Sequence, residues 1–228
     1  MKHEVLCRPA ASIVRFWMET GEQITCEAGS MIAMSQGLTV ETTTRTRGGG
    51  GVFSGLRRML AGESFFLNHF TAQQSGQSLL LGPALLGDVL HHPLIAGGLI
   101  VQAGSWLAST RDVQLDTSWQ GFAKGLLSGE SLFWIKCTGI GDLYLSSYGA
   151  IYSVDVDGEY VVDTGHIVAF DETLQFELSK ASSTWLQSFL GGEGIVCRFR
   201  GRGTVYCQSH QFSSLGYMLG PMLRPRRG

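Results

Sequence analysis

Three glutamates are the residues whose type and spacing first suggest chemistry. Each stands second in a Gly-Glu motif: Gly62-Glu63-Ser64-Phe65-Phe66, Gly129-Glu130-Ser131-Leu132-Phe133 and Gly192-Glu193-Gly194-Ile195-Val196. If three related units surround an axis, the glutamates form a ring of carboxylates that binds a cation or shares protons at raised pKa values. The alternative is structural: each glutamate pairs with a backbone N–H or a basic side chain where a helix ends and a strand begins.

A loop rich in glycine and arginine is a second candidate site. The spacing of two repeated motifs indicates an insertion in the first third of the chain. From the glycine of the earlier motif (Gly29, Gly104 or Gly165) to the glycine of the Gly-Glu motif the distance is 62 − 29 = 33 residues in the first instance, against 129 − 104 = 25 and 192 − 165 = 27 in the later two. The insertion falls within 42–53. The candidate contacts are Arg45, Arg47, Gly49, Gly50, Arg57 and Arg58. Glycine N–H groups, arginines and a helix start suit an anion or a lipid headgroup, and a mobile surface loop is the alternative.

Familiar catalytic and binding motifs do not occur in the sequence. The run Gly48-Gly49-Gly50-Gly51 is not followed by the lysine of a phosphate-binding loop, and its surroundings are antiparallel in character, unlike a dinucleotide-binding βαβ unit. No Gly-x-Ser-x-Gly motif is present. None of the six histidines stands at zinc-site spacing from another ligand. We therefore predict no catalytic residue, no cofactor and no metal.

The elements that position these residues repeat along the chain. An Ala-Gly-Ser motif (Thr-Gly-His in its third instance) precedes each Gly-Glu motif, within 27–33, 102–108 and 163–169. A third motif follows each one, beginning at Gly76, Gly141 and Gly203. Self-similarity of this kind is typical of units that pack on one another because none buries its apolar face alone. We predict three repeats, at approximately 11–75, 76–140 and 141–215.

Each predicted repeat has the same order of elements. Alternation of apolar and polar residues predicts strands over 13–18, 151–156 and 173–178. Asp157-Gly158 and Thr20-Gly21 are predicted tight turns, since glycine accepts a positive φ. Short helices are predicted over 52–60, 119–127 and 184–190, each ending at the glycine that opens a Gly-Glu motif. The fold class is therefore all-β, a β-sandwich of three internal repeats with short helical turns between strands.

Length and composition favour one domain. The 228 residues include 31 glycines and 5 prolines, 16% of them are charged, and the net charge is −2. This composition suits a β-rich protein with many turns. A general nucleic-acid binder is not expected, because binding to phosphates requires many basic residues. We predict a single domain over 1–228, with a mobile C-terminal tail over 216–228.

No segment has the features of a targeting signal or a membrane span. Charged residues interrupt the N-terminal apolar stretches, and Pro83, Asp88 and Pro93 interrupt the most apolar region. The five cysteines form no Cys-x-x-Cys pair. Their odd number predicts buried free thiols in a reducing compartment, and hence a cytoplasmic protein.

One further surface departs from the repeat, between Gly82 and Gly97. It contains Ala84-Leu85-Leu86 and His91-His92-Pro93-Leu94. Two interpretations are open: an exposed apolar patch for a partner, or burial against the neighbouring repeat.

Three stretches resemble a known family. They are Glu27-Ala28-Gly29-Ser30-Met31, the run from Gly62 to Asn68, and the run from Gly191 to Gly203. Together they are similar to the mitochondrial-biogenesis family named for altered inheritance of mitochondria, over nearly the whole chain. The resemblance implies a fold like that of the tryptophan RNA-binding attenuation protein, a β-sandwich of the double-stranded β-helix type assembled into oligomers. It supplies no catalytic motif, and it links the mitochondrial members to inner-membrane organisation.

The sequence therefore predicts a non-enzymatic scaffold or interaction protein that assembles with itself. The alternative is a binding module for a small anionic ligand or lipid headgroup at the glycine- and arginine-rich insertion. Expected partners are further copies of the chain, and beyond them a membrane surface or another protein. The sequence does not indicate the biological process.

Overall fold

A computed structural model describes residues 1–46, 64–95, 97–117, 134–180 and 195–223. Regular structure in these ranges is almost entirely β. The strands in chain order are β1 (Lys2–Leu6), β2 (Ile13–Met18), β3 (Gln23–Glu27), β4 (Met31–Met34), β5 (Leu38–Thr46), β6 (Ser64–Ala72), β7 (Gln77–Leu81), β8 (Val89–Leu94), β9 (Leu99–Gln102), β10 (Trp106–Thr110), β11 (Val113–Asp116), β12 (Trp134–Gly139), β13 (Gly141–Ser146), β14 (Ile151–Asp163), β15 (Ile167–Asp171), β16 (Gln175–Lys180) and β17 (Ile195–Gln208). Short 3-10 turns span Ala103–Ser105, Thr164–His166 and Gly220–Met222, and helix α1 spans Phe212–Leu219.

The strands form three antiparallel sheets. Their orders are β1-β2-β7-β4, β5-β6-β3-β10-β13-β8 and β11-β12-β9-β15-β17-β14, with β16 also paired to β17. In the run β2 to β7 the first strand pairs with the sixth, the second with the fifth, the third with the sixth and the fourth with the fifth. The run β8 to β13 has the same pairings. In the last run, the long strands β14 and β17 each occupy two of these positions.

Strands of successive runs share sheets. β3 of the first run pairs with β10 of the second, and β9 of the second run pairs with β15 of the third. Each of the two larger sheets is therefore built from two runs. This sharing joins distant parts of the chain in one β structure.

The strands form because apolar side chains alternate in sequence. In β2, Val14, Phe16 and Met18 are buried, while the residues between them are partly exposed. This strand confirms the prediction over 13–18. β14 contains the predicted strand over 151–156, and β16 begins two residues after the start of the strand predicted over 173–178. The all-β fold class is confirmed.

The predicted hairpin turn at Asp157-Gly158 is wrong. The ladder between β14 and β17 continues without a break from Ile151 to Asp163, and Gly158 lies opposite Gly201 within it. Both glycines have a positive φ, 109° and 113°. Glycine accepts this φ at no steric cost, so the positive φ that the sequence predicted is present while the backbone stays in the ladder. Gly21, with a φ of 83°, lies between β2 and β3, as the turn prediction requires.

The predicted tail over 216–228 begins inside a helix. α1 covers Phe212–Leu219, and a 3-10 turn follows to Met222. Leu215, Met218 and Leu219 recur at helical spacing, and the mobility of this segment stays a prediction. Residues 224–228 lie outside the described residues. So do the helices predicted over 52–60, 119–127 and 184–190.

The five cysteines are free thiols, as predicted. Four of them are buried, namely Cys26, Cys137, Cys197 and Cys207. Cys7 is exposed, contrary to the prediction, because it lies outside the strands in the turn after β1.

Candidate functional site

A cavity of about 820 Å³ lies where the three runs of strands meet. Its polar lining comes from strand ends: Glu27 of β3, Gln102 of β9, Ser146 of β13 and Gln208 of β17. Its apolar lining includes Leu85 and residues around it. Among the described residues that line the cavity there is no lysine, arginine or histidine. The described lining therefore carries a negative charge when Glu27 is ionised.

Among the described residues of this lining, Glu27 is the one with a carboxyl side chain. It ends β3, and its carbonyl accepts a 2.7 Å hydrogen bond from Ser30 Oγ, which fixes the corner that follows. Burial raises the pKa of the Glu27 carboxyl to about 7. No described side chain forms a hydrogen bond or an ion pair with this carboxyl. Near neutral pH this half-buried carboxyl therefore exchanges between its protonated and ionised forms.

The amide side chains of the cavity differ in how fully they are bonded. Gln208 accepts a 2.8 Å hydrogen bond from the Tyr148 N–H and donates one of 2.9 Å to the Gly165 carbonyl. Gln102 accepts a 3.2 Å hydrogen bond from Ser105 Oγ, but its NH₂ group bonds to no described residue. The cavity thus offers a carboxyl group and an amide donor to a bound molecule.

A second feature is the open edge of β4. This strand pairs with β7 on one side and ends its sheet on the other. Met31, Ile32 and Met34 are 42%, 52% and 44% exposed. The corresponding strands β10 and β15 lie between two neighbours, and their apolar residues Leu107 and Val168, which match Ile32 in the motif, are 0% exposed. Among the described strands, β4 is therefore an apolar strand with a neighbour on one side only.

The second half of β14 is a matching open edge. Residues 159–163 pair with β17 on one side only, although the corresponding strands β3 and β9 have neighbours on both sides. Tyr160 and Val161 are each 45% exposed. At the start of this edge, Arg198 and Arg200 form ion pairs with Glu159. The two open edges thus carry apolar surface that their counterparts bury.

Most of the residues that the sequence singled out lie outside the described residues. These are Arg47, Gly49, Gly50, Arg57 and Arg58 of the insertion, together with the motif glutamates Glu63, Glu130 and Glu193. Of Arg45 only the backbone is described, in β5 opposite Phe65. The anion-contact and carboxylate-ring hypotheses both stay predictions.

Sequence reasoning missed a buried polar cluster around Asp88. Arg8 donates hydrogen bonds to Asp88 from Nε (2.9 Å) and Nη2 (2.7 Å), and Ser12 Oγ donates another of 2.7 Å. Burial acts to raise the pKa of Asp88, but the hydrogen bonds from Arg8, Ser12 and the Val89 N–H outweigh it and hold this pKa below its ordinary value. The cluster fastens the segment before β2 to the start of β8. The sequence feature that could have pointed to this cluster is Asp88 itself, a single acidic residue within an apolar stretch.

A histidine cluster on β1 and β8 was also missed. His91 Nε2 lies 2.6 Å from Asp142 Oδ1, and the rings of His3 and His91 are 4.1 Å apart. Burial, followed by the nearby His91, lowers the pKa of His3. The His91–Asp142 contact links β8 to β13, and this structural role is sufficient to explain it.

The surface between Gly82 and Gly97 fits both earlier interpretations in part. Leu86 and Ile95 are exposed, whereas Leu94 is buried in the apolar core. Within the described ranges, no three metal-binding side chains gather, and no helix has the length and apolarity needed to cross a bilayer.

Comparison with known proteins places the chain in a family. It is 29% identical over 202 residues to an uncharacterized protein of Streptococcus pyogenes serotype M6, covering 86% of this chain and 81% of that relative. The X-ray crystal structure of a Streptococcus pyogenes protein matches with a TM-score of 0.78 at 25% identity, covering 97% of this chain and 99% of that one. The family described as mitochondrial biogenesis AIM24 matches residues 3–210. The resemblance of the motifs is thus confirmed, and the chain belongs to the mitochondrial biogenesis AIM24 family.

Proposed function

We propose that this protein is a non-enzymatic scaffold that assembles with itself through the open edges of its sheets. The observation that carries the proposal is β4, whose Met31, Ile32 and Met34 are about half exposed while the corresponding strands are buried. An apolar strand with one open edge presents free N–H and C=O groups as well as apolar area, and it is a template for another chain.

The proposal includes three related units, each with six strand positions, which the four strands of the last run fill because β14 and β17 each occupy two. Support comes from the pairing order, which occurs three times, and from a shared irregularity. The register shifts between Met31 and Ala33 in β4, between Trp106 and Ala108 in β10, and between Ile167 and Ala169 in β15. A bulge at the same motif position in each run is a feature of common design rather than of chance. We extend this to a fold like that of the tryptophan RNA-binding attenuation protein, in the double-stranded β-helix class.

The exposed side chains supply enough free energy to matter in association. Burying a whole Ile or Met side chain contributes about 1.5–3 kcal/mol, so burying the exposed half contributes about 1 kcal/mol. Met31, Ile32 and Met34 together contribute about 3 kcal/mol before backbone hydrogen bonds are counted. The loss of rotational and translational freedom opposes this gain, and several such edges acting together overcome it.

Light scattering after size-exclusion chromatography tests the scaffold. We expect the wild-type protein to be larger than one chain at micromolar concentrations and Ile32→Lys to shift it toward the monomer. Ile140→Lys is the matched control, since Ile140 is 71% exposed but lies in the turn between β12 and β13. A wild-type protein that stays monomeric at about 100 μM, where association requires a free energy of only about −5.5 kcal/mol, overturns the proposal.

The cavity supports a second candidate function, the binding of a small organic cation. A carboxylate beside apolar walls suits an alkylammonium group, since the ammonium donates to the carboxylate and the alkyl chain contacts the walls, and no basic residue among the described lining residues repels it. Calorimetric titration with n-butylammonium at pH 8, where Glu27 is ionised, tests this. We expect binding that is absent with n-butanol and lost in Glu27→Gln. Equal heats for the cation and the alcohol contradict the idea.

The insertion supports the alternative that the sequence raised. Its arginines suit an anion or a lipid headgroup, and co-sedimentation with anionic vesicles tests it. Loss of co-sedimentation in a variant with both Arg57→Ala and Arg58→Ala is the expected result. Unchanged binding in that variant argues against the contact. A cytoplasmic location also stays part of the proposal, supported by five free cysteines.

A further inference from the structure

The chain contains two incomplete sheets whose strands together correspond to one complete sheet. The completed sheets each contain the fourth, fifth and second strands of one run followed by the third, sixth and first strands of the next. At one end of the chain, β4, β7, β2 and β1 lack the first of these two groups. At the other end of the chain, the first group is present and the second group is missing. The first group here consists of β16, residues 195–200 of β17 and residues 159–163 of β14. Each open edge is thus what the other one is missing.

The pairing between runs has one register in both completed sheets. Ala108 of β10 lies opposite Cys26 of β3, and Ala169 of β15 lies opposite Val101 of β9. Each alanine is the fourth residue after the central glycine of its Ala-Gly-Ser motif. Each partner is the third residue before the central glycine of the preceding motif. The same rule assigns a register to the open edges.

We propose that β4 of one copy of the chain pairs with residues 159–163 of a second copy. The strands run antiparallel, with Ala33 opposite Val162 and Met34 opposite Val161. This inference rests on the proposed self-assembly and names its surface and its partner. The result is a continuous sheet in which β16, β17 and β14 of one copy are followed by β4, β7, β2 and β1 of the next.

The side chains of the two edges are suited to this pairing. Tyr160 is 45% exposed, although the matching residues Ile24 and Leu99 of β3 and β9 are 0% and 1% exposed. Aromatic and β-branched residues facing apolar residues across a ladder are stabilising pairs. Pairing with a second copy therefore gives Tyr160 and Val161 the environment that their counterparts already have.

The contact joins two different surfaces, so it is heterologous. A heterologous contact propagates from copy to copy and closes into a ring or continues as a filament, whereas a two-fold dimer uses the same patch twice. The proposal therefore excludes pairing of β4 with β4. The proposed contact also differs from closure of one chain on itself, in which β4 would pair with residues 159–163 of the same chain.

Disulfide trapping between single-cysteine edges tests the register. Cys7 is first replaced by serine, because it is the exposed native thiol. One copy then carries Met34→Cys and a second, larger tagged copy carries Val161→Cys. Antiparallel partners have Cα separations of about 4.5–5.5 Å, within the range that a disulfide spans. We expect the mixed-size disulfide to form on oxidation, at least about tenfold faster than with Tyr160→Cys, which faces the opposite side of the strand.

Each outcome bears on the proposal. Homodimers of Met34→Cys alone indicate β4–β4 pairing and overturn it. A chain carrying both substitutions that forms an internal disulfide at any dilution indicates self-closure and also overturns it. In both cases an oligomer seen by light scattering leaves the scaffold proposal standing. A monomeric wild-type protein overturns both. Unchanged thermal unfolding of the reduced variants shows that they fold.

Discussion

Glu27 provides a prediction that can be worked through in numbers. Its carboxyl has an ordinary pKa of 4.5, and burial raises this pKa to about 7 in the folded protein. The folded state therefore holds the proton more tightly than the unfolded state does. Below pH 4.5 the group is protonated in both states and costs nothing. As pH rises it ionises first in the unfolded chain, so ionisation destabilises the fold, and the effect is complete above pH 7.

The magnitude follows from the separation of the two pKa values. A difference of about 2.5 units at 1.36 kcal/mol per unit gives about 3 kcal/mol at pH 8, and the partial titration gives about 2 kcal/mol at pH 6. These are upper limits because the cavity opens to solvent. Glu27→Gln keeps the shape and removes the ionisation. We therefore expect it to stabilise the protein at pH 8 by up to about 3 kcal/mol and to have little effect at pH 4.

Thermal unfolding from pH 4 to pH 8 at one protein concentration measures this. For a chain of this size the expected gain in Tm at pH 8 is roughly 6–12 °C, declining to nearly zero at pH 4. Glu22→Gln is the control with the opposite sign. Burial acts to raise the pKa of Glu22, but the Glu19 N–H and the N-terminal ammonium group outweigh it and lower this pKa. A Tm difference between Glu27→Gln and wild type that does not change with pH refutes the reasoning.

Two further predictions concern stability. Asp88→Asn leaves Arg8 without its charge partner, so we expect a loss of about 2 kcal/mol in the free energy of unfolding at pH 7, measured with urea. Because the folded pKa of Asp88 is lowered, its contribution is present above the ordinary value of 3.8 and is lost as pH falls through the folded pKa, so the difference should shrink at acid pH; a constant difference contradicts this. Gly87→Ala would place its Cβ 1.8 Å from the Ser147 carbonyl oxygen, so we expect a loss of about 2–3 kcal/mol, while Gly104→Ala, with nothing within 4 Å, should change stability by less than about 0.5 kcal/mol. Equal urea midpoints for the two alanine variants would show that this close contact relaxes freely.

Local pattern predicted those elements whose formation is local. β2 was found at its bounds because its alternation is set by one buried face. The turn at Gly158 was predicted from the same kind of signal and is wrong, because the long ladder with β17 overrides a local turn preference. The pairing of β3 with β10 was beyond reach, since a shared core rather than a short motif brings those strands together.

The candidate sites were harder to find than the strands. Glu27 stands in a repeated motif whose corresponding positions hold Gln102 and Asp163, and sequence reasoning did not single it out as a site residue. Its burial, which raises its pKa, depends on three runs of strands meeting at one cavity. In the same way, the sequence of β4 is as apolar as those of its counterparts. Only the structure reveals that β4 lacks a neighbour.

The composition of the edge strands argues that β4 is built to be covered. Proteins protect sheet edges with charged residues and prolines, because an exposed apolar edge pairs with other chains. Three other described edges follow this rule: β1 carries Lys2 and Glu4, β8 contains Pro93, and β16 contains Glu177. β4 reads Met-Ile-Ala-Met, with no polar side chain. A strand that is unprotected where the other edges are protected is best explained by a neighbour, and the edge at 159–163 is the one whose register fits it.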